Sequence, residues 1–206
     1  MFDSHSGPHA PIPGTTPTPR ALFIDRWGTL LDTPERGYAV HPDEVRFLPG
    51  ALDALFRAVR TGWKVYLVGN EDAVAYGDLH PDAWRAVEEH MLAQLTAAGV
   101  LLTRHYACTT RPDGVEGQVA DSVYLLPNTG AFYHAAHEDG IELRHSWVIG
   151  DSTLELVAGW RSGCRIAAVQ TGLALSDAAF GVEPEFTARD LAEAIGVLLR
   201  SSSIAA

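Results

Sequence analysis

The chain has 206 residues, 47% hydrophobic and 20% charged, a balance that excludes a mainly disordered or fibrous protein. Fifteen Lys and Arg against 26 Asp and Glu give a net charge of −11, a field that repels nucleic acid and anionic membrane at long range. No apolar run approaches the ~18 residues of a membrane span. No basic-then-apolar leader is visible, and Cys108 and Cys164 are too few for a disulfide framework, so a cytoplasmic protein with neither nucleic acid nor membrane as partner is expected.

Residues 1–20 hold five prolines, two glycines and two histidines and almost nothing to bury, which predicts a disordered tail before a domain spanning 21–200. Ala21–Ile24 is a short buried-strand run ending at Asp25. After Pro49-Gly50, Leu52, Leu55, Phe56 and Val59 fall at helical spacing and predict one apolar helix face. Gly62 ends it, and Lys64–Val68 reads as the next strand. Pro81 opens a helix with Trp84, Val87, Met91, Leu92 and Leu95 on one stripe, and Thr103–Ala107 reads as a strand. Residues 108–122 form a long loop, of the length that is usually functional or vestigial. Then come a helix at Ala131–Asp139, a strand at Trp147–Ile149, a helix through Leu154, Val157 and Ala158 to Gly163, a strand at Ile166–Val169 and a helix at Asp190–Leu199. Trp84, Trp147 and Trp160 are placed on core stripes, and 201–206 read as a short tail. Alternation of this kind predicts an α/β fold with a doubly wound parallel sheet.

Ligands of such sheets bind outside the carboxyl ends of the strands, which here carry Asp25, Gly69-Asn70 and Gly150-Asp151. Taken singly, Asp25 reads as a turn residue and Asp151 as the cap of the helix after it. Taken together at matching strand ends, the two carboxylates form a candidate Mg²⁺ site, and an Asp so placed can also act as a nucleophile.

Phe23-Ile24-Asp25-Arg26-Trp27-Gly28-Thr29-Leu30 resembles the first motif of the haloacid dehalogenase-like phosphatases. More narrowly, the chain is similar to the subgroup of D,D-heptose 1,7-bisphosphate and histidinol-phosphate phosphatases. Phe47–Ala51, Gly69-Asn70, Cys108, Pro127–Gly130, Ser146–Ser152, Ala158-Gly159 and Thr171-Gly172 continue the likeness in order over 21–172. The resemblance implies a Rossmann-like fold without a large cap domain, and Asp25 as nucleophile. It also implies a metal held by Asp25, Asp151 and the backbone carbonyl of Trp27, with Glu155 behind it, and Asn70 and Arg26 at the phosphate.

The departures carry as much weight. Trp27 stands where the family has an Asp serving as general acid and base, Gly69 where a Thr or Ser bonds the phosphoryl group, and Leu125-Leu126 where an Arg-Lys pair counters its charge. Cys108 matches the first ligand of the subgroup's zinc loop, but Thr110, Ser122 and Tyr124 replace the other three, so no zinc is expected and Cys108 is read as a half-buried thiol. A positioned acid–base group is worth about 10²–10⁴-fold and one charge-stabilising donor about 10²–10³-fold. The expectation is therefore a pseudo-phosphatase acting by binding a phosphorylated small molecule or a protein partner. The alternative is an active Mg²⁺-dependent phosphatase of a small sugar phosphate working through an Asp25 aspartyl-phosphate. That alternative needs a substitute acid from Glu71 or Asp72, in what reads as a solvated loop, and a substitute cation from Arg26, Arg104 or Arg111.

Overall fold

Runs of consecutive apolar residues become strands buried on both faces, and their side chains sort by alternation. In the computed structural model, which describes residues 19–204, Leu22, Ile24, Val65, Leu67, Trp147, Ile149, Ala167 and Val169 point to one face of a sheet. Ala21, Phe23, Tyr66, Val68, Val148, Ile166 and Ala168 point to the other. The strands are β1 (Ala21–Asp25), β2 (Lys64–Asn70), β3 (Arg104–Cys108), β4 (Trp147–Gly150), β5 (Arg165–Val169) and β6 (Phe186–Ala188). All are parallel, in the order β3-β2-β1-β4-β5-β6.

Helices α1 (Ala51–Arg60), α3 (Pro81–Ala97) and α6 (Leu191–Ile204) cover the first face. Helices α4 (Gly130–Asp139) and α5 (Thr153–Ser162) cover the second, and α2 (Asp72–Ala75) is a single turn after β2. The doubly wound α/β expectation holds, and the segments inserted after β1 and β3 contain no sheet of their own. No described helix is long and apolar enough to cross a membrane.

Several details differ from expectation. The buried face of α1 is Ala51, Ala54, Leu55 and Ala58, while Phe56 is 41% exposed and lies over Gly99. Alanines let α1 approach α6 closely, so the larger side chains rotate to the rim. Trp160 is 64% exposed and on no core stripe, unlike Trp84 and Trp147. Strand β6 was not among the predicted strands, and α6 continues to Ile204, inside the stretch read as a tail. The N-terminal tail lies outside the described residues except for Pro19, whose carbonyl accepts from Glu142 N at 3.0 Å, and Arg20, stacked over Trp63 at 4.1 Å.

Candidate active site

Register places the site. β1 and β4 are neighbours with Ile24 opposite Ile149, so the chain leaves both strands at the same edge, with Asp25 ending one and Asp151 following the other. Ser152 then caps α5, its hydroxyl accepting from Leu154 N, and Glu155 reaches back to Ser152 N at 2.6 Å and to its hydroxyl. This capping box brings Glu155 under the two aspartates. Carboxylate oxygens of Asp25, Asp151 and Glu155 all lie within 4.8 Å of one another, and they are the one such cluster of three metal-type ligands among the described residues.

Three clustered acids cost energy unless protonated or neutralised. Burial, then the charges of Glu155 and Asp151, hold the Asp25 carboxyl well above the usual range, with Arg26 opposing. Burial also raises Asp151, against hydrogen bonds from Leu173 N and Thr29, and pushes Glu155 to about 7. Asp151 is held by the Thr29 hydroxyl at 3.3 Å and Leu173 N at 2.7 Å. Gly28 (φ 87°) and Gly172 (φ 61°) flank it so closely that a Cβ on either would overlap the Asp151 carboxylate. The donors facing the cluster are all hard oxygens, the set that suits Mg²⁺. Glu155 spends both its oxygens on Ser152, so Asp25 and Asp151 are the direct ligand candidates and Glu155 adds charge behind them.

The other predicted residues divide. Arg26 is 1% exposed and does not line the site as a phosphate cation. Its Nε donates to Glu71 Oε1 at 2.7 Å, Nη1 to Tyr106 O at 3.1 Å and Nη2 to Gly69 O at 3.0 Å, with Nη2 also 2.5 Å from Glu71. Glu71, read as part of a solvated loop, is buried as Arg26's counter-ion, and its second oxygen accepts from the indole N–H of Trp27 at 3.4 Å. Gly69 leaves only a narrow gap, since a Cβ there would sit 3.0 Å from Arg26 Nη2 and 3.2 Å from Asp25 Oδ1. Asn70 clamps the backbone of Leu126 with both ends of its amide, at 2.9 and 3.0 Å. Leu126 is buried in the second core with Phe23, Tyr66 and Phe132, and Leu125 is half-buried beside it.

None of the other substitutes is free. Asp72 pairs with Arg111 at 2.8 Å, and Arg104 starts β3 at the opposite edge of the sheet, bound to Asp139 at 2.9 Å. Cys108, Thr110, Ser122 and Tyr124 do converge, lining one cavity of about 250 Å³, where the Cys108 thiol donates to Thr110 O at 3.3 Å. Cys108 is fully buried rather than half-buried.

A family model described as HAD-hydrolase-like matches residues 126–194. The D-glycero-D-manno-heptose-1,7-bisphosphate 7-phosphatase of Thermosynechococcus vestitus is 31% identical over 187 residues, covering 85% of this chain and 93% of that protein. This chain belongs to that phosphatase family, within the HAD-like hydrolases. Its D-glycero-beta-D-manno-heptose-1,7-bisphosphate 7-phosphatase relative in Mesorhizobium japonicum is 30% identical over 181 residues, covering 86% and 82%. Among solved structures, the D,D-heptose 1,7-bisphosphate phosphatase of B. bronchiseptica, complexed with magnesium and phosphate, superposes with a TM-score of 0.76. It is 27% identical and covers 88% of this chain and 99% of that one. The match to the Thermosynechococcus vestitus protein covers 85% of this chain, well beyond the 126–194 of the family model. Sequence reading missed Thr29 and Leu173 as the holders of Asp151; Thr29 carried a signal, being buried in the first motif, whereas Leu173 acts through its backbone and carried none.

Proposed function

We propose that this chain is a metal-binding, hydrolysis-deficient member of the phosphatase family, a pseudo-phosphatase that binds a phosphorylated small molecule of the sugar-phosphate class. Asp25, Asp151 and the Trp27 carbonyl would hold Mg²⁺, with Glu155 behind. When bound, the cation would supply charge to draw in and orient a phosphate oxygen. The observation that carries the reading is the Trp27–Glu71–Arg26 cluster. An indole stands where the resemblance puts a proton-transfer group, and the acid that it bonds, Glu71, is paired with Arg26 in the interior. Leu126, on the clamped loop, supplies no cation. Two buried, unpaired thiols, Cys108 and Cys164, suit a reducing cytoplasmic setting.

The intact carboxylate cluster favours a second reading, an active Mg²⁺-dependent phosphatase with a relocated acid. One assay separates them: phosphate release from a panel of sugar and generic phosphate esters with Mg²⁺, wild type beside Asp25→Asn. Equal background from both is the expected result. Mg²⁺-dependent release by wild type that Asp25→Asn abolishes would overturn the pseudo-phosphatase reading.

A further inference from the structure

The loop after β5 has backbone geometry that its sequence does not explain. Ala174, Leu175 and Ala178 have φ of 48°, 63° and 43°, in the left-handed region that residues with a Cβ avoid. Three such residues within five positions persist only where the surroundings impose them. Here the surroundings are the candidate site. Leu173 N donates to Asp151 Oδ2 at 2.7 Å and Leu175 N to Asp151 O at 2.7 Å, so the loop grips Asp151 by side chain and backbone.

The far end of the loop is tied to the first residue of α5. The Asp177 carboxylate accepts from Thr153 N at 3.0 and 3.1 Å and from the Thr153 hydroxyl. That hydroxyl in turn accepts from Phe180 N at 3.2 Å. Thr153 is buried, and its helix is the one that carries Glu155. Asp177 is exposed, so nothing in the packing of the core requires a carboxylate there. Its two tasks are to bond the first turn of α5, where a negative charge is favourable, and to hold the strained loop against Asp151.

We propose that Asp177 is a positioning residue for the metal carboxylate: through Thr153 it fastens loop 171–180, so that the Leu173 N–H keeps the Asp151 carboxylate turned toward Asp25. The proposal rests on reading Asp25 and Asp151 as metal carboxylates. Outer partners of a metal ligand fix its orientation, and their loss weakens metal binding.

The test uses the full chain with Mn²⁺ as the probe, its binding followed by electron paramagnetic resonance, together with amide hydrogen exchange at Leu173 and Leu175. In Asp177→Ala, Mn²⁺ affinity is expected to fall about 10–100-fold and both amides to exchange faster. Asp177→Asn, whose side-chain oxygen still accepts the Thr153 bonds, is expected to keep affinity within about threefold of wild type. Thr153→Val, which removes the hydroxyl link but leaves the Thr153 N–H, gives a second route should Asp177→Ala not fold, and it too is expected to weaken Mn²⁺. Wild-type affinity in both Asp177→Ala and Thr153→Val, or weakening in Asp177→Asn equal to that in Asp177→Ala, would overturn the proposal. Failure of the wild type itself to bind Mn²⁺ would instead sink the metal reading, and the proposal with it.

Discussion

Glu71→Ala is expected to destabilise the protein by about 3–5 kcal/mol, because it strands a guanidinium that water cannot reach. Arg26 is 1% exposed, and among the described residues Glu71 is the only carboxylate bonded to it. Without Glu71 it keeps two carbonyls, Tyr106 O and Gly69 O, neither of which carries a full charge. At ~2–4 °C per kcal/mol for a chain of this size, thermal denaturation should show Tm falling by roughly 6–20 °C. The pair itself is a different quantity. Replacing both partners, as in Arg26→Met with Glu71→Leu, removes the buried charge together with its counter-ion and should recover most of the loss. A drop below about 1 kcal/mol in the single variant would mean that Arg26 finds water or another acid.

Mg²⁺ should raise Tm, and Asp151→Asn should abolish the rise. A ligand bound only by the native state at a hundred times its Kd adds about 2.7 kcal/mol, equivalent to roughly 5–10 °C in a chain of this length. The source of that stabilisation is the crowded acid cluster, in which burial and mutual repulsion both hold the Asp25 carboxyl above its ordinary range. The metal-free Asp151→Asn protein should therefore be at least as stable as metal-free wild type, since one like charge is gone, the amide oxygen can still accept from Leu173 N, and the Thr29 hydroxyl can turn to accept from the amide N–H. Scanning calorimetry with Mg²⁺ and with a chelator tests both halves. A wild-type Tm that ignores Mg²⁺ would leave the cluster without a cation.

The four inner strands were legible because Leu22–Ile24, Val65–Val68, Trp147–Ile149 and Ile166–Val169 are uninterrupted apolar runs, and the site was legible because the two at its centre lead into Asp25 and Asp151. What escaped is of another kind. Strand β6 is three residues, Phe186-Thr187-Ala188, too short to show a period. Glu71 looked solvated because its neighbour Asp72 is, whereas its partner Arg26 is 45 positions away and turns inward only once β1 and β2 are paired. Asp177 has its partner 24 positions away, across a loop with no hydrophobic pattern. Polar residues in loops acquire their meaning from tertiary neighbours, and periodicity carries no record of those. The same limit applies to Phe56 and Trp160, whose size suggested burial while alanines and small glycine-lined gaps took the close contacts.

Trp27 has one further consequence, which is optical. Of the chain's five tryptophans, Trp63, Trp84 and Trp147 are sealed in the interior and Trp160 faces solvent, so their surroundings change little when the carboxylate edge fills. Trp27 follows Asp25 by two residues and hydrogen-bonds a buried acid through its indole. The side chain two residues beyond Asp25 is thus a fluorophore. Emission should shift or quench as Mg²⁺ or an anionic ligand enters, and the signal should vanish in Trp27→Phe, so occupancy of the candidate site can be watched directly by its light.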